Sequence, residues 1–471
     1  MVCPDLHVAL VAFPTQGHLN PGLRLGKDLA GLAVDVTFCT FLYGQKRMAQ
    51  TDSLKTAQCG VSMVGFSDIF DDGYAEDGDP LDIYISHTRA VGDQVLRKMI
   101  LRGAETGEPV TCLIWDVFIP FAADVAEEFN IPCAVLWQSG TGLDAYYFIQ
   151  NGRERALVTS QEPEFNLKLP GVPLLRCRDI PSFLFGSCDH CSHFNLVVPL
   201  FKNLIEAFST DSRVLVNCFD DLDVEPVNAL SGMDTMLCVG PLLPCGHPGA
   251  PIDSNLCGDI LQNCTNSMVE WSCRPDSSVV YISFGSLVCV PQDQMEEIAH
   301  ALVKSRIPFL WVIRSNCDMR VERRHLGDGF RDANSKRGML VAWCGQADVL
   351  NHPSIGCFVT HCGWNSTAES LCGGVPVVNQ PHWGEQCTNG RQVEDSFKTG
   401  VRMQALSEDG VVSNEELGEC VDLNTAGKKG EEMRKMASKW KESASRTISP
   451  GGKSLENFEK VVKLLMKEKD G

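Results

Sequence analysis

The sequence predicts an α/β fold built from two Rossmann-like domains with parallel sheets. Short apolar runs typical of buried parallel strands alternate with periodic, helix-like segments in both halves of the chain. Residues 245–258 interrupt this alternation with glycine, proline, serine and asparagine, which indicates a linker. With 471 residues, the chain is long enough for two domains of ordinary size.

These breaks predict four segments. The first domain covers 1–244, the linker covers 245–258, and the second domain covers 259–450. Residues 451–471 form an amphipathic terminal helix, which we expect to pack back on the first domain.

Composition excludes several classes of partner. The net charge of −19 argues against nucleic acids and anionic membranes, since both attract basic surfaces. The N-terminal apolar run is short and has no basic residues before it, and no apolar run reaches the length of a membrane span. We therefore expect a cytoplasmic protein, a monomer, whose 22 cysteines are mostly reduced, buried thiols.

The first half begins with a strand-like run, His7 to Phe13, followed by a glycine-containing loop, a helix and a second strand. His18 lies in that loop, just beyond the carboxyl end of the first strand. Asp116 follows the short strand Leu113–Trp115 in the same way. Ligands of open parallel sheets bind at this edge. A lone histidine in such a loop is more often a helix cap or a packing residue, and Asp116 could be the N-cap of the helix that follows.

Further apolar runs indicate the remaining strands of the first domain, at 134–139, 213–219 and 236–244. The stretch from Glu162 to Ser187 is rich in proline and lacks periodicity over much of its length, which indicates a long surface loop, and long loops of this kind often carry specificity. We expect a substrate pocket lined by the loops at 66–90 and 160–195 and by residues at the end of the 134–139 strand: Gln138, Ser139 and Thr141.

The second half repeats the pattern. A strand at 278–286 ends in Gly285 and Ser286, which could be simple turn residues, and another strand leads to Trp343. The run Cys357–Thr360 is a buried strand, and the helix that follows ends at Gly373 and Gly374.

The junction between this strand and helix favours an anion. The positive end of a helix dipole and its unpaired N–H groups bind phosphate, and Gly363 lets a ligand approach the backbone. His361, Asn365 and Ser366 can donate hydrogen bonds there, while Glu369, one turn later, is better placed to accept from ribose hydroxyls. Trp343 offers a flat face for a base. A strand–turn–helix with capping residues alone would show the same local pattern.

The stretch from Trp343 to Gln386 resembles the donor-binding box of plant secondary-product UDP-glycosyltransferases, without insertion or deletion, and we refer to it as the donor box. The matching positions are Trp343, Gln346, Leu350, His352, Phe358, His361, Cys362, Gly363, Trp364, Asn365, Ser366, Glu369, Gly374, Val375, Pro376, Pro381 and Gln386. Gly345 and the pair Asn379–Gln380 depart from the family pattern, from which we expect altered loop stiffness. The stretches FSDIFDDGY and LPGVPLLRCRDIPSF are most similar to a subgroup with anthocyanin 5-O-glucosyltransferases and enzymes that form glucose esters.

This resemblance implies the GT-B fold, in which two Rossmann-like domains face each other across a cleft. It implies inverting transfer of glucose from UDP-glucose to a hydroxyl or carboxyl of a small plant metabolite, such as a flavonoid, a hormone acid or an apocarotenoid. His18 would be the general base, oriented by Asp116.

The resemblance also assigns the donor site. Trp343 would stack on uracil with Gln346 near the ribose, Ser286 would face the diphosphate, and Trp364 would contact the sugar through its backbone. Glu385 and Gln386 would read the hexose, with glucose favoured by the glutamine.

We expect no cofactor and no metal, because no acidic metal-binding pair lies near the donor box. The cluster Cys188, His190, Cys191 and His193 could be half of a zinc site, but no second pair follows at zinc-ribbon spacing. Two other functions remain possible from the residues: a non-catalytic nucleotide-sugar-binding protein, and a dinucleotide oxidoreductase, which the lack of GxGxxG disfavours.

Overall fold

Two parallel sheets organise the molecule, as seen in a computed structural model of the chain. The structure describes residues 6–49, 60–68, 70–72, 81–138, 166–168, 173–181, 213–222, 236–243, 274–314, 337–405 and 410–466. The predicted linker at 245–258, the Cys188–His193 cluster, Ser139 and Thr141 lie outside these residues.

The N-terminal domain contains a parallel sheet of seven strands in the order β3-β2-β1-β4-β5-β8-β9. Its strands are β1 (His7–Val11), β2 (Asp35–Phe41), β3 (Val61–Phe66), β4 (Cys112–Asp116), β5 (Cys133–Trp137), β8 (Arg213–Val216) and β9 (Met236–Cys238). A small antiparallel pair, β6 (Asn166–Leu167) and β7 (Leu175–Arg176), stands apart from this sheet. Among the described residues of this half, the helices are α1 (Gln16–Gly31), α2 (Leu42–Ala49), α3 (Leu81–Thr106) and α4 (Phe121–Glu128).

The C-terminal domain contains a parallel sheet of six strands in the order β12-β11-β10-β13-β14-β15. Its strands are β10 (Val279–Ser283), β11 (Phe309–Val312), β12 (Gly338–Val341), β13 (Ile355–Thr360), β14 (Val377–Asn379) and β15 (Gly400–Arg402). The helices that the structure describes in this half are α5 (Gln292–Ser305), α6 (Gln346–Asn351), α7 (Trp364–Gly373), α8 (Gln386–Asp395), α9 (Asn414–Thr425), α10 (Gly427–Ile448) and α11 (Lys453–Met466). The predicted fold class, two Rossmann-like domains with parallel sheets, is confirmed.

Strand order creates one switch point in each sheet. The chain moves outward from β1 to β3 on one side and continues from β4 on the other, so β1 and β4 are neighbours. The second sheet repeats this arrangement with β10 and β13. Loops that leave adjacent strands in opposite directions open a crevice at their carboxyl ends, where ligands of such sheets bind.

Several strands are shorter than their apolar runs predict. The strand expected at 213–219 ends at Val216, and that expected at 278–286 ends at Ser283. Phe219 and Phe284 remain buried although they lie beyond the paired residues. Apolar character continues past the sheet because the departing chain is still covered by neighbouring elements.

The terminal helix α11 packs against the N-terminal sheet. Its apolar face joins a core cluster with residues of β1 and α1, and the helix contributes Phe458, Val461, Val462 and Leu465. The side-chain amide of Asn457 also donates to the Cys238 carbonyl at 2.9 Å. The last helix of the chain therefore completes the core of the first domain.

Gln380, which departs from the family pattern, joins β14 to α5. Its side chain is buried and donates from Nε2 to Gln294 Oε1 at 2.8 Å.

Buried thiols such as Cys39 and Cys362 are protonated at neutral pH, because burial raises the pKa of both to about 12. Within the described ranges, no helix is long and apolar enough to cross a membrane.

Candidate active site

His18 and Asp116 are brought together by the first switch point. His18 lies in the first turn of α1, directly after β1, and Asp116 is the last residue of β4. His18 Nδ1 is 2.6 Å from Asp116 Oδ2. The Asp116 side chain is 1% exposed, whereas that of His18 is 17% exposed. With Nδ1–H donating to the carboxylate, Nε2 is the basic nitrogen of the ring.

The Asp116 carboxylate has two further donors. Gln138 Nε2 donates to Oδ2 at 2.9 Å, and the Phe118 backbone N–H donates to Oδ1 at 3.0 Å. Asp116 does not cap α4, since the residue preceding that helix is Pro120. The ring of Phe118 packs on His18 with centroids 4.8 Å apart. The carboxylate and the imidazole are therefore both fixed in orientation.

Gln138 has a contact that the sequence did not predict. It was expected to line the substrate pocket, but its side chain is mostly buried and its amide donates to Asp116. Parallel pairing of β4 with β5 places Asp116 opposite Leu136, two residues before Gln138. Consecutive parallel strands joined by a helix commonly pair, so the position of Gln138 directly after β5 could have suggested this contact.

The His361 imidazole lies between two glycine-containing loops at the second switch point. A Cβ atom added to Gly285, whose φ is +73°, would lie 2.5 Å from this ring, and one added to Gly363 would lie 2.6 Å from it. Burial, followed by the proximity of His382 and Arg314, lowers the pKa of His361 to about 3. His361 is thus a neutral imidazole that offers one N–H to an anion.

Helix α7 begins beside this histidine. Gly363 precedes the helix, and Trp364 is its first residue. Asn365 does not cap the helix: its Nδ2 donates to the Gly17 carbonyl at 2.9 Å. That bond joins the donor box to the first turn of α1, which carries His18.

A polar network follows on the nucleotide side. Gln346 Nε2 donates to Ser366 Oγ at 2.8 Å and to Glu369 Oε2 at 2.7 Å, and its Oε1 accepts from Tyr281. Trp343 is half-buried just after β12. Gln346 therefore orients the carboxylate that the sequence assigns to ribose.

Glu385 and Gln386 lie at the start of α8. Gln386 Oε1 accepts from the backbone N–H groups of His382 and Trp383 at 3.0 and 3.2 Å. Burial raises the pKa of Glu385, opposed by hydrogen bonds from its own N–H and that of Trp364 and by attraction to His18. The Glu385 carboxylate is thus held by the backbone N–H of Trp364, the first residue of α7.

The Trp364 side chain extends the contact between the domains. Its indole Nε1 donates to the Asn217 carbonyl at 2.8 Å, and it is buried in the same core cluster as Trp115. The donor box therefore packs directly on the N-terminal domain.

Known proteins are similar to this chain in sequence and architecture. Residues 261–417 match the family model described as UDP-glucoronosyl and UDP-glucosyl transferase. The chain is 43% identical to UDP-glycosyltransferase 75C1 of Solanum lycopersicum, over 97% of this chain and 98% of that protein. The chain belongs to the plant family 1 UDP-glycosyltransferases.

Other relatives agree with this family assignment. UDP-glycosyltransferase 84A1 of Arabidopsis thaliana is 44% identical over 98% of this chain and 95% of its own length. The crystal structure of Os79 from O. sativa in complex with UDP has a TM-score of 0.80 and 28% identity, and it covers 97% of this chain and 100% of Os79. The predicted GT-B fold and the predicted enzyme class are confirmed. The family assignment decides against the two alternatives, a non-catalytic nucleotide-sugar-binding protein and a dinucleotide oxidoreductase.

Ser286 lies with Gly285 in the turn after β10, and its carbonyl accepts from Arg314 Nη1.

In the part of the chain that the structure describes, no three His, Cys, Asp or Glu side chains are grouped to hold a metal ion.

Replacing Gln138 with leucine tests its role in this UDP-glycosyltransferase. We expect kcat to fall about tenfold, because the Asp116 carboxylate, which orients His18, loses one hydrogen-bond donor. Leucine has nearly the same size as glutamine, so the packing around this position should change little. The KM for the acceptor should stay within about twofold of the wild-type value. Steady-state kinetics with a fixed UDP-sugar concentration measure both constants. A raised acceptor KM with unchanged kcat would instead support a pocket-lining role.

The stability of the enzyme should fall as the pH is lowered from 7 to 5. Burial lowers the pKa of His361 to about 3 and that of His382 to about 4. The unfolded chain binds these protons near pH 6.5, whereas the folded chain does not. The free energy of unfolding therefore falls on acidification, by up to about 1.4 kcal/mol per pH unit for each group. The raised pKa of Glu385 acts in the opposite direction.

Urea unfolding of the wild type and of His382→Gln at both pH values measures this effect. The variant should lose less stability on acidification than the wild type. Equal losses in the two proteins would contradict a half-buried His382 that stays neutral in the folded enzyme.

Proposed function

We propose that this enzyme transfers glucose from UDP-glucose to an oxygen of a small plant metabolite, with inversion at the anomeric carbon. The observation that supports this most directly is the His18–Asp116 pair, whose histidine lies next to Gly17, the residue that Asn365 of the donor box contacts. The bond between Asn365 and the Gly17 carbonyl holds the two regions together.

In the proposed reaction, an acceptor hydroxyl gives its proton to His18 Nε2 while its oxygen attacks the anomeric carbon. The bond between that carbon and the UDP oxygen breaks, and UDP leaves with the electron pair. Asp116 stabilises the imidazolium and keeps the proton on Nδ1. General-base catalysis of this kind contributes roughly 10²–10⁴-fold.

The leaving UDP gains negative charge, which needs donors that are already in place. The neutral imidazole of His361, the N-terminus of α7, and the hydroxyls of Ser366 and Ser286 supply them without a change of protonation. The proposed reaction therefore requires no metal. Trp343 and Glu369 would bind the base and the ribose, with Glu369 held by Gln346.

For the acceptor, the relatives offer two oxygen chemistries. Gallate 1-beta-glucosyltransferase of Quercus robur is 40% identical to the chain, and phloretin 4'-O-glucosyltransferase of Malus domestica is 38% identical. We propose an aromatic or similarly apolar acceptor with a phenolic hydroxyl or a carboxylate. A carboxylate is already ionised at neutral pH and needs no base, whereas a phenol does.

A screen of the purified enzyme tests this function. UDP-glucose and UDP-galactose are each incubated with a panel of phenols and aromatic acids, and products are identified by mass and by alkaline hydrolysis, which cleaves esters. We expect glucosides or glucose esters from UDP-glucose in preference to UDP-galactose. Transfer from UDP-galactose alone would refute the glucose assignment, and UDP release without any product would refute acceptor transfer.

A further inference from the structure

Residues 174–180 join the N-terminal domain to helix α8. Leu175 and Ile180 are anchored in the N-terminal core together with Trp115 and Ile119. The segment lies within the stretch LPGVPLLRCRDIPSF, in the loop that the sequence assigns to the substrate pocket, and the proposed reaction gives it no further role. Between its two apolar anchors, the side chain of Asp179 is 1% exposed.

The Asp179 carboxylate binds two arginines of the C-terminal domain. Oδ1 is 2.6 Å from Arg402 Nη1 at the end of β15, and Oδ2 is 3.8 Å from Arg391 Nε on α8. The Arg176 backbone N–H also donates to Oδ2 at 3.0 Å. A buried carboxylate with two guanidinium groups holds a defined geometry, since displacement of either element would leave charge unpaired.

Backbone atoms of the same segment hold α8 as well. Thr388, which is fully buried in the first turn of the helix, donates from Oγ1 to the Asp179 carbonyl at 2.7 Å. Arg391 Nε donates to the Leu174 carbonyl at 3.3 Å. Thr388 and Arg391 are three residues apart and thus on one helix face. Thr388 lies only two residues after Gln386, in the same first turn of α8.

We propose that Asp179 is a positioning residue for the sugar: through Arg391, Arg402 and Thr388 it fixes α8, and with it Glu385 and Gln386, against the hexose of the donor. This inference rests on the proposed assignment of the sugar to that pair. Hexose epimers differ in one hydroxyl, so reading them requires side chains held within a fraction of an ångström. The N-terminal domain thereby contributes to donor selection through a residue that does not touch the donor.

Two substitutions test the proposal. Asp179→Asn keeps the shape and removes the charge, and Thr388→Val removes one hydrogen bond from α8. We expect kcat/KM for the preferred UDP-hexose to fall about ten- to hundredfold in the first and about threefold in the second. The ratio of kcat/KM between UDP-glucose and UDP-galactose should move towards one in both. The Kd for UDP alone, measured by calorimetry, should stay within about twofold of the wild-type value.

The matched control is Asn457→Leu, which removes another buried contact between the two halves of the chain, at α11 and far along the chain from α8. It should lower Tm but leave the epimer ratio unchanged. An unchanged ratio in Thr388→Val and in folded Asp179→Asn, or a parallel loss of UDP affinity, would overturn the proposal. A wild type that prefers UDP-galactose would refute the glucose donor instead, while the change in ratio would still decide the role of Asp179.

Discussion

His18→Ala should reduce glucosylation of phenols and alcohols by about 10²–10⁴-fold, because the variant has no group to accept the acceptor proton. Asp116 is too deeply buried to replace it, and its carboxylate already accepts from Gln138 and Phe118. On carboxylate acceptors the loss should be less than about tenfold, since the attacking oxygen is ionised before it binds. Initial rates of UDP release, measured with both acceptor types, give the two ratios.

A suitable control is His300→Ala, at an exposed position on α5. It should leave both rates at the wild-type level. If His18→Ala keeps full activity on phenols, His18 is not the base. If it abolishes activity on phenols and carboxylates alike, the imidazole serves both reactions in a way that proton removal does not explain.

His361→Ala should reduce kcat by about 10²–10³-fold, because the departing diphosphate loses a preorganised donor. This loss should be the same for phenols and carboxylates, since UDP is the leaving group in both reactions. The imidazole fills the space between Gly285 and Gly363, so alanine cannot deliver a donor to the same position. Single-turnover rates at saturating UDP-glucose separate this loss from weaker binding.

His352→Ala is the matched control within the donor box. His352 follows α6, and its Nδ1 lies 2.7 Å from Ser354 Oγ, so its contact is with the next turn of the chain. We expect its kcat to stay within about twofold of the wild type. A loss in His361→Ala that depends on the acceptor would contradict the proposed role, because the donor side of the reaction is common to all acceptors.

Local patterns in the sequence predicted the framework of this site well. Strand ends are marked by residues that follow apolar runs, and parallel strands bring their carboxyl ends to one edge, which is how His18 and Asp116 meet. Gly374, with a φ of +72°, ends α7 at the predicted position because a helix often ends on a left-handed residue.

What could not be predicted are contacts between residues that are far apart in the chain. Asn365 and Gly17 are separated by 348 positions, and Asp179 and Arg402 by 223. Their side chains could have faced solvent with the same local pattern. These contacts depend on how the two domains pack, and spacing within a motif contains no information about that. The assignments of individual donor-box residues to base, ribose and phosphate remain predictions.

The packing of α11 also has a consequence for how the protein is made. The ribosome synthesises the strands of the N-terminal sheet first, but Phe458, Val461 and Leu465, which cover one apolar face of its core, come last. That surface stays uncovered throughout translation of the second half. Expressing the first domain alone would therefore yield a fragment with exposed apolar surface, and adding α11 as a separate peptide should restore its solubility.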